Sequence, residues 1–324
     1  MAGAPPTAVD RDFLALEGLD ARSLLAWLDA AEAMVPFAAG ERFLPSPLPL
    51  VGRVVANLFF EDSTRTRVSF EIAGKRLGAE ITNLSASGSS ASKGETLLDT
   101  ARNIEAMGVD AIVVRSGVSG AAAMLARHLA CPIVNAGDGQ HEHPTQGLLD
   151  LLTLRRHFTL AFGRPDFAGR KVAIVGDIAH SRVARSVTHG LVALGSEVLL
   201  VGPPTLVDPS FVRLAEGPGS IRVETDLDAV VPELDALMTL RIQLERAAGG
   251  GVSPDYRFGY GLTSERRRRL PERCAILHPG PVNRGVEIDD AVADDPRASL
   301  ILRQVTYGVA VRMAVLRACV LPAT

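Results

Sequence analysis

The 324-residue sequence predicts an α/β protein of two domains built on parallel sheets, and three observations carry that expectation. Short apolar runs rich in Val, Ile and Leu alternate with longer stretches of helical periodicity. Those runs lack polar–apolar alternation, as strands buried on both faces do. The length approaches that of two ordinary domains, and a composition 47% hydrophobic and 22% charged fills a globular core and excludes a disordered chain.

Residues 1–10 read as a loose tail. From Asp20, an N-cap candidate, Leu24, Leu25, Leu28 and Ala31 recur on one helical face, and the Pro-rich stretch 45–49 (PSPLP) then breaks the chain into a loop. The strand candidates are 54–60 (VVANLFF), 111–114 (AIVV), 172–175 (VAIV), 198–201 (VLLV), 236–240 (ALMTL) and 275–277 (AIL). Any one of these runs alone fits a buried helical segment as well; their alternation with helical patterns favours strands. The stretch 159–170 (TLAFGRPDFAGR) separates a helical pattern from a new strand and is a candidate domain boundary. Four consecutive arginines at 266–269 read as a solvated helix face or end, with a polyanion contact as the alternative.

Charge and cysteine usage narrow the function classes. Lys+Arg 34 against Asp+Glu 37 gives −3, so no excess positive charge points to nucleic acid, although a local basic cleft stays open. Cys131, Cys274 and Cys319 are odd in number and far apart, which implies neither a zinc site nor a disulfide framework and suits a reducing cytoplasm. The N-terminal residues lack the basic-then-apolar order of a signal peptide, and no apolar run reaches the roughly 18 residues of a membrane helix. A soluble, intracellular protein is expected.

The polar clusters follow the strand candidates, where open parallel sheets bind ligands. The first run leads into Ser63, Thr64, Arg65, Thr66 and Arg67, ahead of an amphipathic stretch over 68–77. Such a cluster forms a helix N-terminus, whose free N–H groups and positive dipole end favour an anion. The hydroxyls add donors and Arg65 a planar fork suited to phosphate oxygens, while the absence of a Walker lysine and Gly-rich loop argues against a nucleoside triphosphate. An N-cap with surface arginines is the alternative.

The second run leads into Arg115 and Ser116. The Ser/Gly-dense stretch 85–100 reads as a mobile loop ending in a Ser92/Glu95 capping box, with Lys93 able to swing onto an anion or simply to face solvent. The spacing of His141 and His143 does not fit a zinc site; a neutral His143 and the amide of Gln146 suit a carbonyl oxygen and an NH₂ group. Cys131 reads as a buried small hydrophobe. Gly176 and Asp177 end another run without the G-x-G-x-x-G pattern of a dinucleotide fold, and Arg182 falls on the helix that follows. With Arg241 it offers two guanidinium forks, enough for a small dicarboxylate.

Six ordered motifs identify a resemblance to the aspartate/ornithine carbamoyltransferase family over essentially the whole chain. They are FEDSTRTRVSFE (60–71), SKGETLLDT (92–100), HPTQ (143–146), GD…R (176–182), RIQLER (241–246) and HPGPVNR (278–284). The KGET loop, RIQLER and HPGPVNR are of the aspartate type, and the HCLP and DSMG signatures of the ornithine type are absent.

The resemblance implies transfer of a carbamoyl group from carbamoyl phosphate to L-aspartate, the second step of pyrimidine biosynthesis, with no metal or other cofactor. It implies that Ser63, Thr64, Arg65, Thr66 and Arg115 hold the phosphate and that Thr66, Arg115 and His143 hold the carbonyl oxygen. Gln146 and the backbone around Pro279, Gly280 and Pro281 would take the amide, Arg182 the α-carboxylate of aspartate, and Arg241, positioned by Gln243, its side-chain carboxylate. Family members are homotrimers with shared sites, which casts Ser89 and Lys93 as residues donated by a neighbouring subunit. Regulatory chains or a dihydroorotase are possible partners.

The implied domains are 1–152 for carbamoyl phosphate, joined by a C-terminal helix at about 299–324 that returns to it, and 153–298 for aspartate. Gly280 stands where some relatives carry leucine, a departure that touches substrate affinity. An ornithine-type enzyme and a non-catalytic scaffold for dihydroorotase are the competing readings.

Overall fold

The computed structural model describes residues 11–85, 95–242 and 255–321. Ser89, Lys93 and Gln243 lie outside them, as does Ser92. The chain divides into two compact units; among the described residues the first takes 11–16, 22–149 and 306–321, and the second 17–21 and 150–305. Each is a parallel sheet flanked by helices, the α/β class that the apolar runs predict, and the C-terminal helix returns to the first unit from Thr306 onward.

Directly after Asp20, α1 (Ala21–Ala38) lies in the first unit from Arg22 onward and buries Leu24, Leu28 and Ala31; Leu25 from the predicted face is 40% exposed. The sheet of this unit holds β1 (Val54–Phe59), β2 (Glu80–Ser85), β3 (Ala111–Ser116) and β4 (Ile133–Asp138) in the order β2-β1-β3-β4, all parallel. The intervening helices are α2 (Thr64–Leu77), α3 (Leu97–Ala106) and α4 (Ala121–Ala126). Phe70 and Leu77 of α2 are fully buried, each contributing about 2–3 kcal/mol of transfer free energy. α2 ends where Gly78 adopts φ +89, a left-handed C-cap that closes onto the Gly74 and Lys75 carbonyls.

The second unit holds β5 (Lys171–Val175), β6 (Glu197–Val201), β7 (Ser220–Glu224), β8 (Ala236–Thr239) and β9 (Ala275–Leu277) in the order β7-β6-β5-β8-β9, again all parallel. Its core gathers Ala173, Val175, Leu199, Val201, Leu237 and Ile276 with Leu227, Leu262 and Val292. α6 (Arg182–Ala193), α7 (Leu227–Val230), α8 (Tyr256–Tyr260), α9 (Ser264–Arg269) and α10 (Asp290–Ala293) belong to this unit. Two long helices, α5 (Pro144–Phe162) and α11 (Ile301–Val320), contribute residues to both units. Thus α5 continues through part of the stretch 159–170, and the division by contacts falls inside it.

Several local expectations need correction. The predicted capping box at Ser92/Glu95 does not start α3: Glu95 and Thr96 are not helical, and Thr96 caps by accepting the Asp99 N–H at 3.1 Å. The next Thr-x-x-Asp pair wins because its hydroxyl meets an open first-turn N–H. The arginine run is not uniformly solvated. Arg266 is buried, its guanidinium donating to the Gly261 and Phe258 carbonyls at 2.7 Å each and to both Asp228 oxygens. Cys131 is half-buried, packed at the edge of the first unit's core, and burial together with Glu105 pushes its thiol up to about 12.

Candidate active site

A four-stranded order of β2-β1-β3-β4 puts its switch point between β1 and β3, whose chains leave toward opposite sides. Both polar clusters read from the sequence stand there. Phe59 is in register with Arg115, and the Phe60 N–H donates to the Arg115 carbonyl at 2.8 Å. Arg115 is therefore the penultimate residue of β3 and not a residue beyond it.

Its guanidinium is aimed by two neighbours: Nη1 donates to the Ala136 carbonyl at 3.1 Å, and Nε lies 3.5 Å from a Glu61 carboxylate oxygen. A side chain so braced and 13% exposed presents its fork in a fixed direction, which preorganises it for an anion. Ser63 occupies the N-cap of α2 with φ −157°, yet its hydroxyl makes no capping bond. Thr64 and Arg65 are exposed in the first turn, and Thr66 is 8% exposed. The N–H groups of that turn have no intrahelical partner, so the local field favours negative charge.

The end of β4 supplies the next group through a turn braced by Asp138. Its carboxylate accepts from the Gly120 N–H at 2.7 Å, the Asn135 amide at 2.9 Å and the Glu142 N–H at 3.1 Å, with His141 Nδ1 3.1 Å away. Glu142 in turn receives the Leu16 N–H on its carboxylate, at 3.0 and 3.1 Å. This turn delivers His143 immediately before α5, and the His143 carbonyl accepts the Gln146 and Gly147 N–H groups at 2.9 and 3.0 Å. His143 and Gln146, 5% and 9% exposed, thus stand just before and within the first turn of one helix. The sequence pattern does not reveal Asp138, because 133–138 (IVNAGD) carries polar residues inside the strand and offers no apolar run.

In the second unit the order β7-β6-β5-β8-β9 places the switch point between β5 and β8. Val175 pairs with Thr239, and the Leu240 N–H donates to the Val175 carbonyl at 2.8 Å, so the chain ends leading to Arg182 and Arg241 start side by side. Gly176 has φ +136°, which calls for glycine, and a Cβ there would crowd Leu240 at 3.1 Å and the Tyr256 hydroxyl at 3.3 Å. Ser181 caps α6 by accepting the Ala184 N–H at 3.1 Å, which sets Arg182 as its first residue. Tyr256 is 4% exposed, and burial pushes its hydroxyl far above the usual phenol range.

His278, Pro279, Gly280 and Pro281 follow β9. Gly280 has φ +67° and its N–H donates to His278 Nδ1 at 2.7 Å. The structure therefore brings Ser63, Thr64, Arg65, Thr66 and Arg115 to one switch point and starts the segments that carry Arg182 and Arg241 at another. Among the described residues, no helix is long and apolar enough to cross a membrane.

Comparison with known proteins matches both units. The family model described as the carbamoyl-P binding domain of aspartate/ornithine carbamoyltransferase covers residues 11–156, and that of the Asp/Orn binding domain covers 168–319. The aspartate carbamoyltransferase catalytic subunit of Myxococcus xanthus is 50% identical over 311 residues, covering 95% of this chain and 99% of its own. That of Salinispora tropica is 51% identical over 309 residues, covering 94% and 96%. Among solved structures, the aspartate transcarbamoylase of Trypanosoma cruzi in complex with carbamoyl phosphate and aspartate aligns with a TM-score of 0.84 at 31% identity, covering 98% and 99%. The catalytic subunit of M. jannaschii aspartate transcarbamoylase aligns at 0.80 and 34%, covering 95% and 97%.

Proposed function

Because the chain belongs to the aspartate/ornithine carbamoyltransferase family, we propose that it transfers the carbamoyl group of carbamoyl phosphate to L-aspartate, yielding N-carbamoyl-L-aspartate and phosphate. The observation that carries the choice of aspartate is that Arg182 and Arg241 lie on the segments leaving the adjacent strands β5 and β8, two cations that suit a dicarboxylate and repel the side-chain ammonium of ornithine.

In this reading Ser63, Thr64, Arg65, Thr66 and Arg115 hold the phosphate, and the first turn of α2 adds its N–H groups. Thr66, Arg115 and His143 hold the carbonyl oxygen; Gln146 and the backbone of Gly280 and Pro281 hold the amide. Arg182 takes the α-carboxylate of aspartate and Arg241 the side-chain carboxylate, with Gln243 and Lys93 assisting. The neutral amine of aspartate attacks the carbamoyl carbon and the bond from that carbon to the phosphate oxygen breaks. The amine proton leaves on a phosphate oxygen, so no side-chain base is needed. Arg115, Thr66 and His143 stabilise negative charge on the carbonyl oxygen in the transition state, Arg65 and Lys93 that on the leaving phosphate, and orientation of two small substrates supplies much of the rest.

The domain limits 1–152 with 299–324, and 153–298, follow the same assignment of one substrate to each unit, and the activity belongs to a cytoplasmic enzyme of pyrimidine biosynthesis. We place the chain in a homotrimer to which a neighbouring copy contributes Ser89 and Lys93. Mixing inactive Lys93→Ala and Arg241→Ala chains tests this: hybrids regain activity if sites are shared and stay dead if they are not. For the reaction itself, carbamoyl phosphate offered with aspartate, ornithine and other amino acids in parallel decides the acceptor. Consumption of aspartate alone supports the reading, and consumption of ornithine overturns it.

A further inference from the structure

A buried network beyond β9 ties together the two loops to which substrate contacts are assigned in the second unit. The Gly280 N–H donates to His278 Nδ1 at 2.7 Å. A backbone N–H can only donate, so Nδ1 carries no proton and the ring hydrogen sits on Nε2. That hydrogen points to Glu287 Oε1, 3.1 Å away, and both side chains are 0% exposed. The same Glu287 oxygen accepts the Asn283 N–H at 2.6 Å, and the Asn283 side-chain amide donates to the Ile242 carbonyl at 2.7 Å. Ile242 directly follows Arg241. Behind the ring, the His278 N–H donates to Gln304 Oε1 at 3.0 Å, and Gln304 Nε2 donates to Asp150 at 2.7 Å.

One imidazole thus sets the tilt of the Gly280 amide, while its carboxylate partner reaches, through Asn283, the segment that carries Arg241. A fully buried carboxylate is costly to retain for stability alone, since well-packed apolar residues serve a core as well or better. Fixing the relative positions of two loops is work that apolar residues do poorly, because it takes directional bonds. We propose that His278 and Glu287 form a positioning pair for the reaction, locking the Gly280 loop and the Arg241 segment into one arrangement so that the carbamoyl and aspartate contacts are set together. Neither residue touches substrate in this account, which rests on the carbamoyl-transfer reading above.

Conservative variants separate the links. Glu287→Gln keeps an acceptor oxygen for both His278 and Asn283, whereas Glu287→Ala removes it. His278→Asn keeps an acceptor near the Nδ1 position, whereas His278→Gln keeps a donor near Nε2 and frees the Gly280 N–H. Initial rates, with KM for each substrate and thermal midpoints, are measured for all four and for the wild type. A displaced active-site group costs on the order of 10²-fold. Glu287→Ala is expected to lose about that much in kcat/KM for aspartate, and Glu287→Gln to recover most of it at an unchanged midpoint. His278→Gln is expected to raise KM for carbamoyl phosphate more than His278→Asn does. If active wild type is matched by Glu287→Ala in kcat and both KM values, the pair is structural only and the proposal fails alone. If Glu287→Ala does not fold, folded His278→Gln and His278→Asn with the same KM for carbamoyl phosphate overturn it as well. Wild type that forms no carbamoyl-aspartate overturns the reaction assignment and the pair together.

Discussion

Replacing Arg266 by alanine tests the idea that one arginine of a four-arginine run holds the second unit together. Its guanidinium donates to the Phe258 carbonyl at 2.7 Å, to the Gly261 carbonyl at 2.7 Å, and to Asp228 at 2.7 and 3.1 Å. These bonds pin the end of α8 and the turn after it onto α9. The Gly261 carbonyl also accepts the Thr263 N–H at 3.0 Å and stays partly satisfied after the substitution, whereas Phe258 loses its charged donor. Losing the Phe258 bond costs about 1–3 kcal/mol and weakening the Gly261 bond about 1 kcal/mol.

Asp228 is 42% exposed, so solvent screens the ion pair and limits it to about 1 kcal/mol. The sum is about 3–5 kcal/mol, or a fall in midpoint on the order of 10 °C for a unit of this size. Arg268, exposed in the same run, is the internal control, and Arg268→Ala is expected to stay within about 0.5 kcal/mol of wild type. Thermal and urea unfolding of both variants supply the comparison. Equal midpoints for Arg266→Ala and Arg268→Ala would show that the difference in burial has no energetic consequence and that Arg266 does not hold the unit together.

Arg115→Ala is expected to lower kcat by about 10²–10³-fold and Arg115→Lys to restore only part of it, since an ammonium lacks the fork; steady-state rates decide. Hydrogen bonds from Lys171 and Arg222 hold the Glu233 carboxyl below the usual carboxylate range. Its contribution is present above its unfolded value near 4.5, is lost as pH falls through the lowered folded value, and stays under about 1 kcal/mol because the group is partly exposed. Unfolding midpoints at pH 7 and at acid pH should therefore differ less in Glu233→Gln than in wild type; an equal difference removes the ion pair from the account. Burial raises the Cys131 and Cys319 thiols to about 12, leaving about one part in 10⁴ as thiolate at pH 8. A thiol reagent at that pH should label the native protein far more slowly than the unfolded chain, and comparable rates would contradict the burial.

How much of this was readable in advance follows from where each strand sits. Central strands β1, β3, β5, β6 and β8 spell apolar runs, as does the fully buried edge strand β9, so sequence pattern finds them. Edge strands β2 (EITNLS) and β7 (SIRVE) carry polar residues on half-exposed faces and leave no such run. β4 is an edge strand of another kind: its residues are all buried, a bridge from Phe13 to Val134 covers it, and Asn135 and Asp138 spend their polarity on internal bonds.

The same logic governs the site. Ser63 to Thr66, Arg115, Arg182 and Arg241 announce themselves because several charged or hydroxyl groups follow an apolar run. Asp138 and Glu287 do not, since a buried carboxylate that orients a neighbour has no spacing rule to reveal it. Thr96 displaces the predicted Ser92 start of α3 because two hydroxyl–carboxylate pairs compete within the eight residues 92–99, and local pattern does not rank them.

The central claim is carbamoyl transfer to aspartate at arginines held beyond two parallel sheets. Its most direct measurement is the time course of carbamoyl-aspartate and phosphate in purified protein supplied with carbamoyl phosphate and aspartate, with and without a phosphonoacetyl-aspartate inhibitor. Equimolar release of the two products, abolished by the inhibitor, is expected. Phosphate release without carbamoyl-aspartate, or no turnover at all, would contradict it.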